Sequence, residues 1–382
     1  MSKEKFTAAL TITLILAASV ATVYAFEITG TIVLERHGGY YGIAYDSGKG
    51  EIYLTNGDFH LVYVVSDSND SVITTIPVGD TPSGITYDPA KGELFVTNFR
   101  SNSVSVISDS DHSVVETIAV GQNPMGIVYD STKGEIYVAN YGSDSVTVIS
   151  DSDNTIVATI PVGIRPSALA YDSARGEIYV GHAGCNDIIV ISDKTHKIVA
   201  NITVENQPIS LVYNSGKEQI YATNYGSDTV SVISCNNYTV AATIPVGNQP
   251  MGIDYDPVNG YLYVANFKSR SMSVICDSNN TVVTDVSLKG EPQAIGYDSG
   301  KGKIYVAYSE SHRVSVISVP VQPDPTSQPE VTPSPSSTPS APEYSLRTVF
   351  SIVMVIAVVM VTISLVAVFF RNRKIKIHIN CN

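Results

Sequence analysis

The chain has no tryptophan, and only four cysteines are spread through its 382 residues. So few cannot staple a dense disulfide framework. Charge is scarce as well. Charged residues make up 15% and apolar residues 44%, too little charge for a coiled coil and too much apolar content for a wholly disordered chain. Positive charge is the scarcest: 23 Lys and Arg face 36 Asp and Glu, for a net −13. A nucleic-acid binder needs a basic footprint, and Arg100, Lys268 and Arg270 are scattered rather than aligned. No Gly-Lys-Ser/Thr phosphate loop, Gly-x-Ser-x-Gly elbow or His-Glu-x-x-His zinc motif occurs.

What is present is tyrosine, 23 of them, with 27 glycines as punctuation. Tyrosines 45, 87, 129, 171, 213, 255 and 297 stand 42 residues apart, each followed by Asp except at Asn214. A period near 40 with strand-like content marks a β-propeller, because a four-stranded sheet buries its faces only by stacking on neighbours. In one unit, strands are expected at 83–87, 93–98, 103–108 and 114–120. Asp88 to Gly92 reads as a hairpin turn, with glycine where positive φ is needed. The predicted fold is all-β: a seven-bladed propeller over residues 26–319. The last unit ends after its third strand, while Thr31 to Glu35 aligns by period with Ile73 to Pro77. The N-terminal strand should therefore complete blade seven from outside.

The flanks read differently. Lys3 and Lys5, an apolar run and Val23-Tyr24-Ala25 resemble a secretory signal cleaved between Ala25 and Phe26. Residues 320–345 are rich in Pro, Ser and Thr and read as an extended stalk. Residues 346–370 include 22 uncharged positions from Val349 to Phe370, about 33 Å of helix against a hydrocarbon core of about 30 Å. The basic tail, 371–382, should stay cytoplasmic, with the body outside. Residues 26–345 then carry −19 of formal charge, which favours solubility and cationic partners.

Glu135-Ile136-Tyr137-Val138-Ala139-Asn140 and Leu94-Phe95-Val96-Thr97-Asn98 resemble the YVTN repeat, as do the Ser-Val-x-Val-Ile and Thr-Ile-x-Val-Gly runs. The resemblance covers all seven units. It implies a propeller of the archaeal surface-layer and cell-surface type, but no particular ligand.

Departures from the repeat are the candidate sites. Asp58 and His60 in unit one, with Glu310 and His312 in unit seven, put two imidazoles and two carboxylates on one rim at the closure, as metal or acid–base chemistry would require. Asp254 is the one ionisable residue among its counterparts Ala44, Thr86, Val128, Ala170, Val212 and Gly296. His182 replaces the asparagine that closes the second strand in five units, and Cys185 follows it. Those asparagines are expected to bond local backbone. Sequons at Asn69, Asn201, Asn237 and Asn279 are peripheral, as N-glycosylation requires. The cysteines are expected to be unpaired. The expectation is a non-enzymatic surface module without cofactor, binding surface proteins or glycans. The alternative is a metal-assisted lactonase- or lyase-like propeller.

Overall fold

The computed structural model describes residues 26–309 and 311–320. They form seven four-stranded antiparallel sheets, each following the chain from an innermost to an outermost strand. Blades one to six cover residues 40–77, 82–119, 124–161, 166–203, 208–245 and 250–287. Blade seven takes its inner three strands from Pro292–Asp298, Lys303–Tyr308 and Ser311–Ser318, and its outermost from Glu27–Gly38. In blade two the strands run Pro82–Asp88, Glu93–Asn98, Ser103–Ser108 and Ser113–Ala119, close to the sequence expectation. Gly92 closes the first hairpin at φ 65°.

The core lies between blades. Tyr53, Val62 and Val64 of blade one pack with Ile85, Leu94 and Val96 of blade two. Innermost strands approach so closely that a Cβ on Gly42 would sit 2.6 Å from Ser83 O, and one on Gly84 2.4 Å from Met125 O. That explains the glycine of the Pro-x-Gly-Ile pattern. The recurring tyrosine has a polar task. Tyr45, Tyr87, Tyr129 and Tyr255 donate to Asp67, Asp109, Asp151 and Asp277 at 3.0–3.2 Å. The Asp that follows six of the seven tyrosines caps the hairpin, as Asp46 does by accepting from Gly48 N at 2.8 Å.

The closing strand differs from its counterparts in register. In blade one Val62 pairs with Ile76, so the period would pair Val314 with Leu34. Val314 pairs instead with Ile32, a slide of two residues. An even slide keeps the inward face inward, and both Ile32 and Leu34 are buried. The slide carries the strand onward to Gly38, beside Ser311.

Four of the seams also carry a matched polar pair at one repeat position. Glu51 meets His112 Nε2 at 3.0 Å, Glu135 meets His196 Nε2 at 3.0 Å, and Glu177 accepts from Tyr238 at 2.6 Å. At the closing seam the polarity is reversed, with Lys303 Nζ 2.9 Å from Asp70 Oδ1. The expected signal sequence, most of the expected stalk, the apolar segment and the basic tail lie outside the described residues, as does Glu310.

Candidate functional site

The disc has two unlike faces. Glu27 and Ser318 pair at one of them, so the chain both enters and leaves there. This terminal face also holds the turns within each blade that carry Asn69, Asn237 and Asn279. All three are exposed, as is Asn201 on the outermost strand of blade four. The far face is built from the loops between second and third strands and from the connections between blades.

The far face is held by side chains that recur. Asn98 Nδ2 donates to Ser103 Oγ at 3.1 Å and Ser105 Oγ at 2.9 Å, and Asn140, Asn224 and Asn266 make the same pair of contacts. These four asparagines therefore bond hydroxyls on the third strand, whereas the sequence suggested local backbone; Asn56 alone of the five does as expected, its Oδ1 accepting from Asp58 N at 3.2 Å and Phe59 N at 3.1 Å. Where a tyrosine replaces the asparagine the third-strand hydroxyl is kept, and where a histidine replaces it the partner changes too. Tyr308 bonds Ser315 at 2.6 Å, and buried His182 has Nδ1 3.0 Å from Asp187 Oδ1.

His60 belongs to this scaffolding. Its Nδ1 accepts from Thr81 N at 3.1 Å. Asn102, Asp144 and Asp228, its counterparts, accept from Asn123, Arg165 and Gln249 N at 2.8–3.0 Å. Its second neighbour is Asp80, with Oδ1 at 3.2 Å. Asp58 accepts from Gly39 N at 2.8 Å. His312 instead lies against His37, ring centroids 4.5 Å apart. The structure thus gives Asp58, His60 and His312 separate partners. His37 escaped the sequence reading because it lies in the closing strand, where the two-residue slide displaces the period.

Asp254 faces the axis, where the innermost strands present unpaired edge N–H groups. Its carboxylate takes two of them, Tyr255 N at 2.8 Å and Tyr297 N at 2.7 Å, and so ties blade six to blade seven. Burial pushes its pKa up to about 6, against the opposing pull of those two bonds. Among the described residues, no three His, Cys, Asp or Glu side chains converge on a metal-sized point. Cys185, Cys235 and Cys276 are unbridged, and burial pushes the Cys235 thiol up to about 12.

The sequence reading missed the aromatic side chains of the far face. Phe99, Tyr141, Tyr225 and Phe267 occupy one repeat position, directly after the second-strand asparagine, and all are half-buried. Phe99 and Tyr141 lie 6.3 Å apart. In blade one that position is Gly57, and the ring of Tyr41 fills the space: a Cβ on Gly57 would sit 2.7 Å from Tyr41 Cε2. Cations flank these rings, Arg165 over Tyr141 at 5.6 Å and Lys268 over Phe267 at 4.8 Å. The signal was legible as an aromatic recurring in four units in the loop after the second strand, a position the sequence reading passed over.

No family model matches the chain, and no curated protein matches it. Many solved structures do, 1682 chains, which marks the fold as widely shared. Hydrazine synthase of Kuenenia stuttgartiensis is one. It is 20% identical, with a TM-score of 0.68 over 78% of this chain and all of the matched one. At that identity the likeness shows the propeller fold and nothing of the chemistry.

Proposed function

We propose that this chain is a cell-surface propeller held to a membrane by its C-terminal segment, and that its far face binds surface proteins or glycans. The observation that carries this reading is the division of labour between faces. The described chain leaves the disc on the terminal face. A stalk and anchor beyond Pro320 would therefore turn the far face, with its row of aromatic side chains, away from the membrane. Aromatic rings with a wet edge are suited to contact, because they offer area at little entropic cost. The resemblance to YVTN repeats of archaeal surface proteins, the signal-like start and the sequons support the same placement. The residues offered as chemistry in the sequence are used in scaffolding: His60 caps a connection and Asp254 ties two innermost strands.

Protease treatment of intact cells tests the placement. The expected outcome is release of a folded disc cut within 320–345, with the basic tail retained in the membrane fraction. A chain untouched by protease and recovered in the cytosol would contradict it.

A further inference from the structure

We propose that Asp88 and Asp151 together hold one proton at neutral pH, and that this proton fastens blade two to blade three. Asp88 ends the innermost strand of blade two and is fully buried. Its Oδ1 accepts from Ala90 N at 2.8 Å, while its enclosed Oδ2 has no hydrogen-bond partner. Asp151 follows the third strand of blade three. Tyr129 stands between the two acids, and the single proton of its hydroxyl goes to Asp151 Oδ2 at 3.2 Å. Two facing carboxylates in such a place cannot both stay charged without a donor.

The ring contains its own control. At the seam between blades five and six, Asn214 stands where Asp88 stands, and Asp277 where Asp151 stands. Asn214 Nδ2 donates to Asp277 Oδ2 at 2.8 Å, and Tyr255 donates to the same oxygen at 3.1 Å. A carboxyl O–H on Asp88 would supply the donor that the amide supplies there. The seam between blades one and two answers the same charge with a cation, Lys49 Nζ lying 3.0 Å from Asp109 Oδ1. Between blades three and four Lys133 Nζ bonds the backbone carbonyl of Asp193. Lys91, their counterpart, pulls Asp151 downward against burial and Asp88 but forms no ion pair with it among the described residues.

The other groups facing this seam add negative charge. Glu93 has Phe95 where other units have a tyrosine donor. Asn154, which takes the place of His112 and His196, turns to Glu116 at 2.7 Å. The Oε2 of Glu93 is left enclosed without a partner. The charged and titratable groups around the pair are thus Lys91, Glu93, Glu116 and Tyr129. Burial first, then Asp88, pushes Asp151 upward, and burial pushes Glu93 upward. An acid whose folded pKa is raised contributes most at low pH. That contribution is lost as pH climbs from the ordinary carboxylate range through the raised value. The proton comes from water and no covalent bond is exchanged. The seam is tight in acid and loosens towards alkaline pH.

Thermal unfolding of the full chain between about pH 5 and about pH 8 tests this, with infrared spectroscopy to detect a protonated carboxyl. Asp88→Asn keeps the Oδ1 acceptor and gains the amide donor. It should raise Tm at about pH 8 by about 2–4 °C, flatten the dependence on pH, and remove a protonated-carboxyl band seen at neutral pH. Asn214→Asp should do the reverse at the control seam, with a loss of Tm that grows as pH rises. The proposal is overturned if Asp88→Asn leaves both the band and the pH slope unchanged, or if Asn214→Asp costs the same at every pH.

Discussion

At the scale of single residues, the repeat separates scaffolding from novelty. His60 looks singular as an imidazole on a loop, but it performs the task of Asn102, Asp144 and Asp228. His182 with Asp187 replaces an asparagine–hydroxyl pair as a unit, whereas Tyr308 replaces the asparagine alone and keeps the hydroxyl, Ser315. Sequence could mark these positions as unusual, because a departure from period 42 is visible in one chain. It could not supply the partner, because the partner lies on another strand or blade. Asp254 shows both sides. Its solitude in the inner ring was legible, whereas its hold on Tyr297 of the next blade was not. Since its folded pKa is raised to about 6, its contribution to stability declines as pH rises from the ordinary carboxylate range to that value, and is constant above it. Asp254→Asn should flatten that part of the stability profile, as measured by denaturant unfolding at a series of pH values. An unchanged profile would show that this carboxylate titrates as it does in the unfolded chain.

At the scale of elements, blade two was readable almost to the residue because alternation, turn glycines and the tyrosine period all agreed. The closing strand was readable in place but not in register. Period 42 predicts Leu34 opposite Val314, and the strand sits two residues away. A slide of two leaves the pattern of buried and exposed positions intact, so hydrophobic alternation carries no information about it. Truncations within this strand should separate its faces. Leu34→Ala should cost about 2–5 kcal/mol, the range for a buried leucine, while Val33→Ala, 60% exposed, should change stability by under about 0.5 kcal/mol. Equal losses in chemical denaturation would contradict the observed facing. The reversed pair of Lys303 and Asp70 gives this seam a polarity that the Glu–His seams lack, which disfavours closure against the wrong blade.

For the whole molecule, a ring closed by the strand Glu27–Gly38 puts both ends of the described chain on one face, so that neither emerges on the other. The sequence revealed the ring through its period and suggested the anchor through its composition. It did not reveal which face is free, because that depends on the direction of the last strand, Ser311–Ser318. The account's central claim is that the free face is the binding face. The most direct measurement compares two variants of the full chain on intact cells, in an adhesion assay against isolated cell envelope. One changes Phe99, Tyr141 and Tyr225 of the far face to alanine, and the other changes Ser110, Asp111 and Asp153 of the terminal face. With equal surface display, the far-face variant should lose at least about tenfold in adhesion, as expected when two or three anchors of about 1 kcal/mol each are removed, and the terminal-face variant should match the unaltered chain. Full adhesion by the far-face variant, or loss confined to the terminal-face variant, would contradict the claim.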